Sequence, residues 1–166
     1  MSNILDKNTM EQLMQLNIKI AHENDFGQKI VLIAGSIKNI INADRCSIFV
    51  HDKKSKSFWT VHSDGISYLE IPDDKGIISD VYRTKQVFID NDVSNNQKAV
   101  KSVDFEYITK SIISMPVLGF DQECIGVVQL LNKNSENGFD QSDVKVLQFV
   151  LNHFTTFLQM IVQENQ

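Results

Sequence analysis

The chain has 166 residues, of which 42% are hydrophobic and 22% charged, and its formal net charge is −5 at pH 7. That size and composition fit one globular domain with a sizeable core, and the absence of a basic run argues against a nucleic-acid binder. No apolar run approaches the roughly 20 residues of a membrane-spanning helix, and the first residues show no secretory signal. We therefore expect a cytoplasmic protein that has neither nucleic acid nor membrane as a partner.

The first quarter of the chain carries helical signals. A capping-box pattern predicts a helix that begins at Thr9. The pair Asn24–Asp25 interrupts this helix, and apolar residues at helical spacing predict a second helix that ends at Asn42. We assign residues 1–24 to a signalling or dimerisation helix and residues 25–166 to the domain proper, including a long C-terminal helix.

After Asn42 the apolar period changes from 3.6 to 2, which is typical of strands. A short helix opens at Gly76, and a polar loop runs from Asp90 to Ser102. Loops of that length in a compact domain are usually functional lids or disordered. This order of elements predicts an α+β fold with an antiparallel sheet. The predicted strands are residues 46–50, 58–62, 68–72, 87–89, 111–118 and 123–131.

The last helix has a clear beginning. Asp140 is the predicted N-cap, and Phe139 and Val144 flank it as a hydrophobic staple. Two apolar stripes follow, and one stripe is enough to cover a sheet. We therefore expect a homodimer through the N- and C-terminal helices. The alternative is that both helices pack fully within one chain.

Four segments carry a resemblance to a known family: Ala43–Phe49 (ADRCSIF), Asp74–Ile78 (DKGII), Ser114–Val117 (SMPV) and Ile125–Lys133 (IGVVQLLNK). Together they resemble the GAF domain, over Asp25 to about Gln159. They resemble most the GAF domains of cyclic-nucleotide phosphodiesterases and adenylyl cyclases, which implies a regulatory domain of a bacterial signalling protein. The resemblance implies a GAF-like (profilin/PAS-like) antiparallel sheet of five to six strands. The N- and C-terminal helices would pack on one face, and short helices and a loop would cover a pocket on the other.

A motif of this branch is matched by Asn132, Lys133, Phe139 and Asp143, whereas Val144 replaces its final glutamate. The resemblance implies that Lys133 and Asp143 pair behind the pocket. The local pattern agrees, because an acidic side chain is favoured in the first turn of a helix. We expect a structural brace here rather than a catalytic pair.

Cyclic-nucleotide-binding relatives imply eight ligand-binding positions in this chain. They are Ser47, Ser63, Asp64, Ile77, Ile78, Asp104, Thr109 and Gln129. Structural alternatives stay open: Ser47 as a small strand residue, Asp64 as a turn residue, the isoleucines as core and Asp104 as a helix cap. The ligand is a small molecule; a cyclic nucleotide is one candidate, although the polar loop lacks an aromatic residue to close over a base.

The remaining chemistry is sparse. Cys46 and Cys124 are predicted to be buried thiols without a disulfide, and the four histidines lack metal-ligand spacing. We predict no cofactor, no metal and no catalytic residue, and a sensor that relays ligand binding through its terminal helices to an output domain or partner. Two alternatives remain: a ligand-free dimerisation or scaffolding module, and an enzyme of the free methionine sulfoxide reductase type, whose clustered cysteines this chain lacks.

Overall fold

A computed structural model describes residues 5–65, 68–95 and 107–164. Its helices and strands follow the predicted order, except that the C-terminal helix is divided in two, and a 3₁₀ turn lies at Val93–Asn95 after the fourth strand. The elements in chain order are α1 (Lys7–His22), α2 (Phe26–Ile41), β1 (Ala43–Asp52), β2 (Ser57–Ser63), β3 (Glu70–Pro72), α3 (Ile77–Thr84), β4 (Phe88–Asp90), β5 (Ile112–Leu118), β6 (Cys124–Lys133), α4 (Gln141–His153) and α5 (Thr155–Glu164).

The strands form one six-stranded antiparallel sheet in the order β3-β2-β1-β6-β5-β4. The long strands β1 and β6 lie at its centre, with Ser47 opposite Gln129. Successive side chains of a strand point to opposite faces, so Cys46 and Ile48 face one side of the sheet and Ser47 and Phe49 the other. The predicted α+β fold is confirmed.

The two faces carry two separate cores. The terminal helices α1, α2, α4 and α5 cover one face, which we call the helix face, and bury side chains such as Ile37, Ile48 and Leu147. Helix α3 covers part of the other face, which we call the pocket face, where Phe58 and Val127 are fully buried. A ligand pocket on the second face would therefore be separated from the terminal helices by the sheet.

Two helix boundaries differ from the prediction. Helix α1 begins at Lys7 rather than Thr9, because the Asp6 carboxylate accepts a hydrogen bond from the Thr9 N–H at 2.7 Å and acts as the N-cap. The predicted single C-terminal helix is divided at Phe154, which has φ −102° and ψ 8°. The Thr155 hydroxyl donates to the Leu151 carbonyl at 3.1 Å, a side-chain bond of the kind that bends helices.

Two residues that are unusual for their positions are accommodated by the local backbone. Lys85 ends α3 in the left-handed conformation with φ 58°, a region that favours glycine. Pro116 lies inside β5, but β4 pairs only with Ile112 to Ser114, so no strand partner on that side requires its missing N–H.

The polar loop predicted from Asp90 to Ser102 is described only in its first part. Its remainder and the predicted ligand residue Asp104 lie outside the described residues. Within the described part of the chain, no helix is both long enough and apolar enough to cross a bilayer.

Candidate ligand pocket

A row of polar side chains crosses the middle of the pocket face. Strand register places Ser63 of β2 opposite Ser47 of β1, Ser47 opposite Gln129 of β6, and Gln129 opposite Ser114 of β5. The Ser47 and Ser63 hydroxyls are 2.9 Å apart, and the Gln129 amide donates to the Ser114 hydroxyl at 3.0 Å. We call these side chains the polar row. It brings together the predicted ligand residues Ser47, Ser63 and Gln129, and it adds Ser114.

Apolar side chains border the polar row on both sides. On one side, two residues beyond Ser47 along β1, Phe49 lies opposite Val127 of β6. On the other side, two residues beyond Gln129 along β6, Leu131 lies opposite Ile112 of β5. The predicted ligand residues Ile77 and Ile78 pack into the same core, and each is 4% exposed. A polar strip between apolar walls is the usual composition of a small-molecule site.

A stacked pair lies beside the polar row, because Arg45 is two residues before Ser47 on β1 and therefore on the same face. The Arg45 guanidinium carbon lies 3.5 Å from the centroid of the Tyr107 ring, a cation–π contact. The Tyr107 hydroxyl donates to the Asp44 carboxylate at 2.8 Å. Burial, followed by this bond to Asp44, raises the pKa of Tyr107, so the hydroxyl keeps its proton and remains a donor.

The Asn132 amide fixes the segment from Tyr107 to Ser111 beside this pair. Its oxygen accepts from the Lys110 N–H at 2.6 Å and the Ser111 N–H at 3.2 Å, and its nitrogen donates to the Ile108 carbonyl at 2.8 Å. Thr109, a predicted ligand residue, lies half-buried in this segment. Asn132 therefore holds pocket-side backbone in place, which the motif alone did not specify.

Lys133, the next residue, points towards the helix face instead. Its ammonium group contacts the Asp143 carboxylate at 2.8 Å and also donates to the Ile41 carbonyl at the end of α2. The other Asp143 oxygen accepts from the Asp140 N–H at 3.0 Å, and the reciprocal bond completes a capping box at the start of α4. Phe139, directly before the cap, is 2% exposed in the core.

The carboxylate of Asp64 is engaged away from the polar row. It accepts from the Cys46 N–H at 2.9 Å and from the Lys38 ammonium group of α2 at 3.2 Å. Burial by itself raises the pKa of Asp64, but these two bonds together with the nearby His62 outweigh it and leave that pKa below its ordinary value of 3.8. The structure thus separates Asp64 from the serines and glutamine with which it was grouped.

Sequence reasoning missed a histidine on the pocket face. His51 lies in β1 on the same face as Ser47, with its ring 4.5 Å from the Tyr82 ring and 4.9 Å from the Phe58 ring. Its Nε2 atom pairs with Asp73 at 2.7 Å, whereas its buried Nδ1 atom has no hydrogen-bond partner among the described residues. The alternation of β1 was the signal that could have found it.

The family is shown by comparison with known proteins. A model of the GAF domain matches residues 31–157. The chain belongs to the GAF domain family. It is also similar to the dual 3′,5′-cyclic-AMP and -GMP phosphodiesterase 11A of Takifugu rubripes, at 30% identity over 163 residues that cover 88% of this chain and 18% of that protein. The GAF domain thus spans less than a fifth of the length of the curated relatives it matches.

Solved structures share the fold. The GAF domain of a phosphoenolpyruvate-protein phosphotransferase from Coxiella burnetii aligns with a TM-score of 0.80 at 14% identity, over 99% of both chains. The free methionine-R-sulfoxide reductase of Neisseria meningitidis, solved with its substrate, aligns with a TM-score of 0.73 at 19% identity, over 91% of this chain and 88% of that one. At these identities the likeness concerns the fold alone.

The cysteines of this GAF domain do not lie together. Cys46 pairs in register with Leu130, which is six positions from Cys124 along β6, or about 20 Å at the usual rise of a strand. Both thiols are buried and free, and burial raises the pKa of each, that of Cys124 to about 11. Among residues 5–65, 68–95 and 107–164, no group of three or more His, Cys, Asp or Glu could hold a metal ion.

Proposed function

We propose that this GAF domain is a regulatory sensor that binds a small molecule on the pocket face and relays binding through its terminal helices to an output domain or partner. The polar row is the observation that carries this proposal. Polar side chains at the centre of a sheet cost free energy unless they are hydrogen-bonded. Ser47, Ser63 and Gln129 are only half-buried and retain hydrogen-bonding capacity beyond their mutual contacts, so a ligand could use them.

The chemistry of the polar row indicates which ligands suit it. Hydroxyl and amide groups both donate and accept, and Gln129 adds no charge. A flat ring with donors and acceptors on its edge, held between the apolar walls, would match this surface. Cyclic nucleotides fit that description and are the first candidates, because the matched relatives are named as cyclic-nucleotide phosphodiesterases. We assign no catalytic step to this domain.

We further propose that the assembly is a homodimer through the terminal helices. Met10, Met14 and Ile18 recur at i, i+4 and i+8 on the outer side of α1 and are 52%, 64% and 60% exposed. Phe149 of α4 and Met160 of α5 add exposed apolar surface on the same layer of helices. A second copy that packs its own terminal helices against these would cover this surface.

Two measurements test the ligand proposal. The purified protein is denatured and searched by mass spectrometry for a retained small molecule, and its melting temperature is measured with cyclic nucleotides and a panel of metabolites. We expect one compound to raise the melting temperature by several degrees, as ligands that bind only the folded state do. No shift and no retained molecule would contradict a sensing role.

A matched pair of substitutions places the site. Gln129→Leu removes the amide from the polar row, whereas Gln148→Leu makes the same change on α4, where the Gln148 amide contacts Asn152. The ligand-induced shift should disappear in Gln129→Leu and persist in Gln148→Leu. Equal shifts in both variants would place the ligand elsewhere.

The second candidate function is a ligand-free dimerisation or scaffolding module. The observation that favours it is that side chains of the polar row already bond to one another, as Ser47 with Ser63 and Gln129 with Ser114. The same thermal-shift panel separates the two candidates.

A further inference from the structure

The side chain of Asn91 forms a bridge around one edge of the sheet. Its Nδ2 atom donates to the Phe139 carbonyl at 2.9 Å, and its Oδ1 atom accepts from the Phe139 N–H at 2.9 Å. This pair of hydrogen bonds to one backbone residue fixes the orientation of the Asn91 amide. Exchanging the amide oxygen and nitrogen would place donor against donor and acceptor against acceptor. Nothing in the family motif pointed to Asn91.

The two ends of this bridge belong to the two different cores. Asn91 directly follows β4, the edge strand, and Val93 two residues later is 8% exposed in the core of the pocket face. Phe139 is buried in the core of the helix face and directly precedes Asp140, the N-cap of α4. The bridge therefore joins pocket-side backbone to the first residues of a terminal helix.

Close packing leaves the bridge little freedom. Gly138 has a φ of +67°, and a Cβ atom there would lie 2.2 Å from the Asn91 oxygen. The glycine thus lets the amide approach the backbone of the loop before α4. On the pocket side, the Val93 N–H donates to the Lys110 carbonyl at 3.1 Å, so the segment after Asn91 is also fixed to the segment that Asn132 holds.

We propose that Asn91 is a positioning residue that couples the pocket face to the start of α4. The sheet separates a pocket-face ligand from the terminal helices, so a change on one face must cross the sheet or pass its edge. The Asn91 bridge provides the second route. The proposal rests on the proposed relay for its purpose, but coupling between the two faces is a property of the folded chain and is measurable without a ligand.

The experiment perturbs one face and observes the other. Val93→Ala loosens the core of the pocket face, and hydrogen exchange followed by mass spectrometry reports on the amides of residues 139–145. We expect Val93→Ala to accelerate their exchange about threefold or more, because local opening becomes easier. In an Asn91→Ala background, adding Val93→Ala should produce no further acceleration, as for two changes that act through one contact.

A control keeps the result specific to the bridge. Asn134→Ala removes an amide from the same loop that contacts Asn42 rather than β4, so Val93→Ala should remain effective in that background. Exchange within α2 serves as a measure of global stability. If Asn91→Ala lowers that stability, Asn91→Asp replaces it, since aspartate still accepts from the Phe139 N–H but cannot donate to the carbonyl.

Two results would overturn the proposal: no effect of Val93→Ala on residues 139–145, or an equal effect with and without Asn91. A negative ligand screen would contradict the sensing function and leave the coupling intact, so the two failures are distinguishable.

Discussion

Lys133 connects the ends of three elements, because its backbone closes β6 while its ammonium group reaches the end of α2 and the start of α4. Its side chain is 15% exposed and that of Asp143 10%. Lys133→Met would leave the Asp143 carboxylate buried without its cation. We expect this change to lower the free energy of unfolding by about 3 kcal/mol in urea denaturation.

A double-mutant cycle with Asp143→Asn tests whether the pair acts as a unit. The loss of unfolding free energy in the double variant should be smaller than the sum of the two single losses by about 1 kcal/mol or more, because neither charge is then left without its partner. Simple additivity would show that Lys133 acts mainly through its bond to the Ile41 carbonyl.

Asp64 predicts a pH dependence of stability. Its pKa is lowered in the folded chain, so the unfolded chain binds its proton first as the pH falls. The stabilisation from Asp64 is therefore complete well above its ordinary pKa of 3.8 and is lost as the pH falls below that value. The stability difference between the native sequence and Asp64→Asn, from urea unfolding, should shrink between about pH 6 and pH 3. A difference that stays constant would contradict this.

Side-chain contacts between residues that are far apart in the sequence mark the limit of prediction from sequence. The resemblance implied that Lys133 and Asp143 pair, and the acidic residue in the first turn of α4 agreed with it. The Asn91 bridge and the bond from Lys38 to Asp64 join residues 48 and 26 positions apart, and no periodicity encodes such contacts. The division at Phe154 was missed because the apolar stripe continues through it, while the backbone there responds to Thr155.

At the scale of elements, the central pair of strands depends on one glycine. A Cβ atom on Gly126 would lie 2.2 Å from the Phe49 carbonyl oxygen, a backbone atom that cannot move aside. Gly126→Ala should therefore cost about 3 kcal/mol of unfolding free energy through overpacking between β1 and β6.

Gly35 offers a matched control with the same added methyl group. It lies within α2, and a Cβ atom there would have nothing within 4 Å. Gly35→Ala should raise the free energy of unfolding by about 0.5–1 kcal/mol, because alanine loses less backbone entropy in a helix. If both variants shifted in the same direction, the close approach at Gly126 would not be the cause.

For strands and helices, the sequence predicted existence and order well and boundaries less well. The period of 2 in β6 and the staple at Phe139 are local signals, and they placed β6 and the start of α4 within one or two residues. β1 begins three residues earlier than predicted, at Ala43 rather than Cys46. β3 and β4 were placed within one or two residues of where the structure has them, but each has only three residues, and their exact extent depends on pairing with β2 and β5. Strand register, which creates the polar row, is a tertiary property that the alternation alone does not fix.

At the scale of the molecule, the exposed apolar stripe on α1 predicts association into a homodimer. Met14→Lys places a charge at the centre of the proposed dimer interface and should raise the dimer dissociation constant at least tenfold, about 1.4 kcal/mol. Gln15→Lys adds the same charge beside the stripe and should leave association nearly unchanged. Sedimentation velocity measures both. A native chain that is monomeric at about 100 μM, or equal effects of the two lysines, would contradict the dimer.

The division of the sheet into two faces has a consequence for engineering. On β1 and β6, the odd-numbered residues Ser47, Phe49, Val127 and Gln129 lie on the pocket face, and their even-numbered neighbours lie on the helix face. A combinatorial library restricted to the odd positions would therefore vary the proposed ligand-binding surface while each member kept the packing of the helical layer. The chain would then serve as a receptor scaffold in which alternate residues of the same two strands determine recognition and folding separately.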